Sequence, residues 1–263
     1  MKQVSWLYLA LAVLTGAARA QERLDRAQVS FVAAGGLAGG AYRAAIIINL
    51  APDTITYWRN PGEAGVPPNF DFSGSENLGR AEVDLPAPTR IDEAGGDVFG
   101  YRTRAAYAVT LTPADRAKPV RAVLKMDYAA CARICIPMHA DAQLLLAPDG
   151  KPGPDAPAVE AARAAIPKRV EPDQAATITP VAGAGKPSWR VAPKASDASD
   201  LFAEAPDNYF FDTRRIADGS FELTLAERPV NATTQTVPVR LTLARPGGGA
   251  DFTVSLDAGG RTP

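Results

Sequence analysis

Ala41-Tyr42-Arg43-Ala44-Ala45-Ile46-Ile47-Ile48-Asn49-Leu50 is an apolar run rich in β-branched residues. After a short break, Thr54 to Trp58 alternates as a half-buried strand does. Asn60-Pro61-Gly62 and Pro67-Pro68 then predict irregular loops, because proline and glycine interrupt a ladder. Outward from this pair, Phe70-Asp71-Phe72, Arg80 to Leu85, Ala105 to Leu111, Val120 to Tyr128 and Ala140 to Leu146 read as further short strands. No stretch of about 12 residues among them has a helical period, which disfavours alternating strands and helices. An antiparallel sandwich of immunoglobulin-like type fits better.

Residues 149–172 differ in kind. Asp149 to Pro157 (DGKPGPDAP) is a Pro/Gly linker, and Ala158 to Ile166 (AVEAARAAI) predicts a short helix. Asp155 is placed to cap its start and Pro167 to end it. Strands resume at Trp189 to Val191, Phe221 to Leu225, Val237 to Ala244 and Asp251 to Leu256, the last two flanking a hairpin at Pro246-Gly247-Gly248-Gly249. The expected fold class is therefore all-β: two immunoglobulin-like antiparallel β-sandwich domains, over 21–148 and 173–263, joined by a Pro/Gly linker and a short helix. The second, smaller domain has no Cys and no His, so it reads as a support or docking module.

Composition narrows the function. The 28 Lys and Arg against 29 Asp and Glu leave a net charge of −1, which argues against a nucleic-acid partner. One His, two Cys and three Met cannot build a multi-histidine metal centre or a dense disulfide scaffold. Lys2, the apolar run Trp6 to Leu14 and the ending Ala18-Arg19-Ala20 are the parts of a cleavable secretory signal over 1–20. The run is short of the roughly 20 residues that span a bilayer. Cleavage after Ala20 leaves Gln21 first, which offers no lipid-bearing cysteine. An export signal of this kind implies a disulfide-permissive compartment.

Both thiols lie in one segment, Tyr128-Ala129-Ala130-Cys131-Ala132-Arg133-Ile134-Cys135-Ile136-Pro137-Met138-His139, where one strand hands over to the next. A disulfide closing so short a loop contributes only about 2 kcal/mol, against about 4.7 for a 100-residue loop. Two cysteines four apart make a poor staple and a convenient dithiol switch. Arg133 inside the loop favours a thiolate and so raises reactivity. Three readings stay open on the residues alone: a redox pair, a non-redox binding module with a small staple, and a Cu(I) site using Cys131, Cys135, Met138 and His139 as soft ligands. On a strand, Met138 and His139 point to opposite faces, which weighs against the copper reading.

Thr56-Tyr57-Trp58-Arg59-Asn60-Pro61-Gly62-Glu63-Ala64-Gly65-Val66-Pro67-Pro68, followed by Phe70-Asp71-Phe72-Ser73-Gly74-Ser75-Glu76-Asn77, resembles the signature of DsbD-type N-terminal domains. Pro86 to Arg90, Phe99-Gly100-Tyr101 and Cys131 to Pro137 are similar to three further family segments in the same order. Residues 173–263 resemble more weakly the second sandwich of the ScsB-like branch, associated with copper tolerance. The resemblance implies a periplasmic thiol–disulfide interchange protein with Cys131 and Cys135 as the redox pair and no cofactor or metal. It also implies a membrane-embedded DsbD- or CcdA-like thiol transporter as donor and a periplasmic thioredoxin-fold client as acceptor, with Cys135 forming the mixed disulfide. Asp97, Phe99 and Tyr101 would be the cap segment that shields the pair. Full-length DsbD-type proteins continue into a membrane domain and a thioredoxin domain. The chain ends at Pro263 with neither, so electrons are expected to arrive from a separate membrane protein.

Overall fold

The computed structural model describes residues 26–62, 64–93, 96–183, 185–230 and 236–258; the expected signal over 1–20 lies outside the described residues. Ten strands build the first sandwich: β1 (Ala27–Ala33), β2 (Tyr42–Leu50), β3 (Ile55–Gly62), β4 (Asn69–Asp71), β5 (Leu78–Asp84), β6 (Thr89–Glu93), β7 (Gly96–Arg102), β8 (Arg104–Pro113), β9 (Val120–Cys131) and β10 (Cys135–Leu146). One sheet has the order β1-β2-β8-β5 and the other β10-β9-β3-β7-β6, with β4 also on β9. The pairs are antiparallel throughout.

Side-chain alternation sets what faces what. On β2, Tyr42, Ala44, Ile46 and Ile48 enter the core between the sheets. Ala45 and Ile47 point the other way, against Val159 and Ala162 of helix α1 (Ala156–Ala164). Burial on both faces explains why this strand reads as a continuous apolar run. Helix α1 is capped at Asp155 without a side-chain hydrogen bond, and it stops at Ala164, short of Pro167. The linker predicted from its Pro/Gly content is thus partly a packed layer on the first sheet.

A second sandwich follows, made of β11 (Lys168–Arg169), the single-turn α2 (Pro172–Ala175), β12 (Ala176–Pro180), β13 (Ser188–Pro193), β14 (Asp200–Glu204), β15 (Phe210–Arg215), β16 (Phe221–Glu227), β17 (Thr236–Arg245) and β18 (Gly248–Asp257). Its sheets run β11-β18-β17-β14 and β12-β13-β16-β15. The predicted glycine hairpin closes with Arg245 opposite Gly248. β11 already belongs to this unit, upstream of residue 173. All-β architecture with two sandwiches is what the alternation predicted.

The main departure is at Asn60-Pro61-Gly62, which lie inside β3 and not in a loop. The β3–β7 ladder pairs Tyr57 with Gly100 and resumes only at Gly62 with Val98, so 58–61 form a bulge that tolerates the proline. Gly62 has φ 82°, and a Cβ there would lie 2.5 Å from the Asp97 carbonyl oxygen.

The two sandwiches share a core. Phe202 of β14 is fully buried and packs 5.7 Å from Trp58 and 5.0 Å from Phe99, ring centre to ring centre. Around it, Arg59 donates to Glu204 Oε2 at 2.7 Å, Asn60 Nδ2 donates to the Ala203 carbonyl at 3.0 Å, and Arg90 pairs with Asp200 at 3.1 Å. Gly100 lies on β7 opposite Tyr57, where an added Cβ would meet the Thr56 carbonyl oxygen at 2.2 Å. Gly100→Ala is therefore expected to cost about 1–3 kcal/mol through forced strand separation. Urea unfolding of the full chain checks this; an unchanged midpoint would contradict the tight β3–β7 approach.

Candidate functional site

The cysteines lie where alternation must put them. Val120, Ala122, Leu124, Met126, Tyr128 and Ala130 of β9 face the sandwich core, so Cys131 points outward with Ala129. The β9–β10 register sets Cys135 opposite Cys131 across the turn Ala132-Arg133-Ile134. Their Cα atoms are 4.0 Å apart and the sulfurs form a disulfide. The two ends of this bond are unlike. Cys131 is 1% exposed, in a cluster with Ile55, Tyr57, Ile91, Val98 and Ala129. Cys135 is exposed, on the edge strand of its sheet.

Tyr57 joins the two, and the sequence reading missed it. Its hydroxyl donates to Cys131 Sγ at 3.1 Å and lies 3.4 Å from Cys135 Sγ. Burial, reinforced by the charge of Glu93, raises its pKa, so the phenol stays protonated and remains a donor. The alternation of Ile55 and Tyr57 against Thr56 and Trp58 is visible in the sequence. That β3 lies beside β9 at Cys131 is not. Gly65 presses on the same ring, since a Cβ there would lie 2.7 Å from Tyr57 Cδ1.

Arg133 is exposed on the turn, with Ile134 beside it 64% exposed. Arg26 Nη1 donates to the Ile134 carbonyl at 3.0 Å and ties down the turn. The structure does not bring Asp97, Phe99 and Tyr101 to the sulfurs. They are on strand β7, and Phe99 and Tyr101 project from the face opposite the disulfide, into the core shared with Phe202. Asp97 pairs with Arg90, whose guanidinium also lies over the Phe99 ring. The segment expected to cap the pair here docks the second sandwich.

The four soft ligands do not converge either. Met138 packs on the sandwich core, while His139 lies on the outer face with Nδ1 2.7 Å from Asp127 and Nε2 3.1 Å from Asp141. Among the described residues no group of three or more His, Cys, Asp or Glu is placed to hold a metal. No helix among them is long and apolar enough to cross a membrane.

With this geometry in hand, the family model for the N-terminal part of the thiol:disulfide interchange protein DsbD matches residues 21–147. Residues 21–147 are a DsbD N-terminal-type domain. The crystal structure of the N-terminal periplasmic domain of ScsB from Proteus mirabilis is similar with a TM-score of 0.65 at 19% identity, over 89% of this chain and 95% of that one. The likeness therefore runs through both sandwiches, as a likeness of fold. The reduced N-terminal domain of DsbD from Neisseria meningitidis is 19% identical over 46% of this chain and 86% of that one, with a TM-score of 0.29. No curated protein matches the sequence. A bridged cysteine pair in a DsbD N-terminal-type domain supports a thiol–disulfide redox role.

Two measurements follow from the contacts. Tyr57→Phe removes a donor to the sulfurs, and a hydrogen bond to a charged group contributes about 1.5 kcal/mol or more, so the thiol it serves should rise by about one pKa unit. Thiolate absorbance against pH reads this; an unshifted titration would mean that Tyr57 only packs. His139, the sole histidine, is held above its usual 6.5 first by the hydrogen bond to Asp127, against an opposing desolvation, and then by the charges of Asp141 and Asp127 and the hydrogen bond to Asp141. A raised folded pKa gives stability that is complete below the unfolded value and fades as pH rises through the folded one. An NMR titration should place the ring above 6.5 in the native chain and bring it down in Asp127→Asn.

Proposed function

We propose that this protein carries reducing equivalents in the periplasm, from a membrane-embedded DsbD- or CcdA-like thiol transporter to thioredoxin-fold clients, through the Cys131–Cys135 pair. The asymmetry of the pair carries the reading. One sulfur is open to a macromolecular partner, while the other is buried beneath a protonated tyrosine. The matched family is one of thiol:disulfide interchange, and the similar ScsB structure is of a periplasmic domain.

The chemistry needs no cofactor. In the reduced protein the Cys135 thiolate attacks one sulfur of the client disulfide; that S–S bond breaks, and the client's other sulfur leaves as a thiolate that takes a proton. Cys135 is then joined to the client in a mixed disulfide. Cys131 loses its proton to solvent and attacks Cys135 Sγ, which releases the client's second sulfur as a thiolate that takes a proton in turn. Two electrons and two protons have moved to the client, and the Cys131–Cys135 bond has re-formed. The transporter dithiol restores the pair by the reverse sequence. Tyr57 donates to the sulfurs as negative charge passes through them, and exposed Ile134 beside Cys135 offers the partner an apolar contact. Arg133, on the same turn, adds positive charge near the approaching sulfur.

Cys135→Ala should abolish electron transfer to an oxidised thioredoxin-fold client, whereas Cys131→Ala should accumulate the mixed disulfide through Cys135. Non-reducing electrophoresis and mass spectrometry report both, and normal transfer by Cys135→Ala would refute the assignment. The reduction potential should fall at roughly −270 to −180 mV; a value below about −300 mV would mark a structural bond instead.

A further inference from the structure

We infer that the second sandwich is part of the redox site: through Phe202 and Glu204 it grips the β3 bulge and thereby holds Tyr57 against the sulfurs. The inference rests on the redox reading of the pair and assigns Phe202, Glu204 and Arg59 as positioning residues for it.

The ladder geometry makes this specific. β9 pairs with β3 only at Ile55 and Cys131, and β7 pairs with Ile55, Thr56 and Tyr57 and then again only at Gly62. Tyr57 is therefore the last residue held by a ladder before a gap at 58–61. The second sandwich fills that gap. Trp58 packs on Phe202, Asn60 bonds the Ala203 carbonyl, and Arg59 bonds Glu204 through Nε at 3.0 Å and Nη2 at 2.7 Å. Arg59 also lies over the Trp58 ring at 4.0 Å and donates to Thr242 Oγ1 at 3.3 Å, with buried Asp251 3.9 Å away. Three consecutive residues following Tyr57 thus take their fixed partners from β14 and the strands beside it. The Tyr57 ring itself packs in the cluster of Ile55, Ile91, Val98 and Ala129 with Gly65 close by, so the grip acts on the backbone that leaves Tyr57 and through it on the aim of the hydroxyl.

The test uses the full chain. Reduced wild type, Glu204→Gln, Tyr57→Phe, the double variant and Leu223→Ala are reacted with a small aromatic disulfide across a pH range. Leu223 is fully buried in the second core, outside the cluster that holds Phe202 and Trp58, and controls for general destabilisation. A rise of one pKa unit cuts the thiolate about tenfold, and the accompanying gain in nucleophilicity leaves a net loss of about threefold at neutral pH. Tyr57→Phe should show that threefold loss. Glu204→Gln should show part of it with a matching upward move of the pH profile, and the double variant should equal Tyr57→Phe alone. Additive losses, an unchanged Glu204→Gln, or the same shift in Leu223→Ala would overturn the inference while leaving the redox reading intact. A wild-type disulfide that dithiothreitol fails to open would overturn the redox reading and the inference together.

Discussion

Everything at the sulfur pair depends on the two-residue period of β9. Six of its side chains, from Val120 to Ala130, are committed to the core by burial, so the odd-numbered set has to face outward and Cys131 with it. A slip of one residue would send Cys131 into the core and Ala130 to the outside, and it would strand Leu124 and Met126 in solvent. Burial thus fixes the register, and the register fixes the chemistry. Cys135 then meets Cys131 because the hairpin closes over three residues. The same alternation along β3 puts Tyr57 on the outer face beside the pair and Trp58 on the inner face, where the second sandwich reaches it.

The second sandwich is more than a neighbour. Phe202 is shared with the first core, and Arg59 enters a polar network with Glu204, Thr242 and the buried carboxylate of Asp251, itself paired with Arg240. Removing one member of such a network leaves charge uncompensated in a dry setting, which costs about 3–5 kcal/mol where burial is complete and less where water reaches. The interface is thus conditional on the identity of a few residues and not on area alone. Those residues come from the stretches that carry the family resemblance, Trp58-Arg59-Asn60 and Arg90 with Phe99.

Much of this was legible in the sequence where one physical rule acts alone. The strands at Tyr42–Leu50, Val120–Cys131 and Thr236–Arg245 have apolar periods long enough to read, and the glycine hairpin after Arg245 declares its own turn. The β6 strand Thr89–Glu93 offers a single apolar residue, Ile91, and was not read as a strand. Phe210–Arg215 escapes for a different reason, since its two phenylalanines are adjacent, fall on opposite faces and show no period of two. Asn60-Pro61-Gly62 reads as a loop by local preference; its strand geometry comes from a bulge whose partners are far away in sequence. The place of Tyr57 at the sulfurs and that of Phe99 beside Phe202 are hidden from the sequence for one cause. Which of two aromatic side chains faces a sulfur depends on how three strands register, and no single strand encodes that.

The unequal burial of the two sulfurs favours one order of events for the exchange proposed above. A partner can reach Cys135 and cannot reach Cys131, so an intermolecular bond has one place to form. Resolution then comes from a thiol already within bonding distance, and it competes only with escape of the partner. Small oxidants meet the same asymmetry, since the inner sulfur is covered by Tyr57 and the aliphatic side chains of Ile55, Ile91 and Val98. Protection in this arrangement comes from the outer face of the sheet itself. Phe99 is thereby free to serve the interface, and a single sheet separates the two tasks: exchange on its outer face and docking of the second sandwich on its inner one.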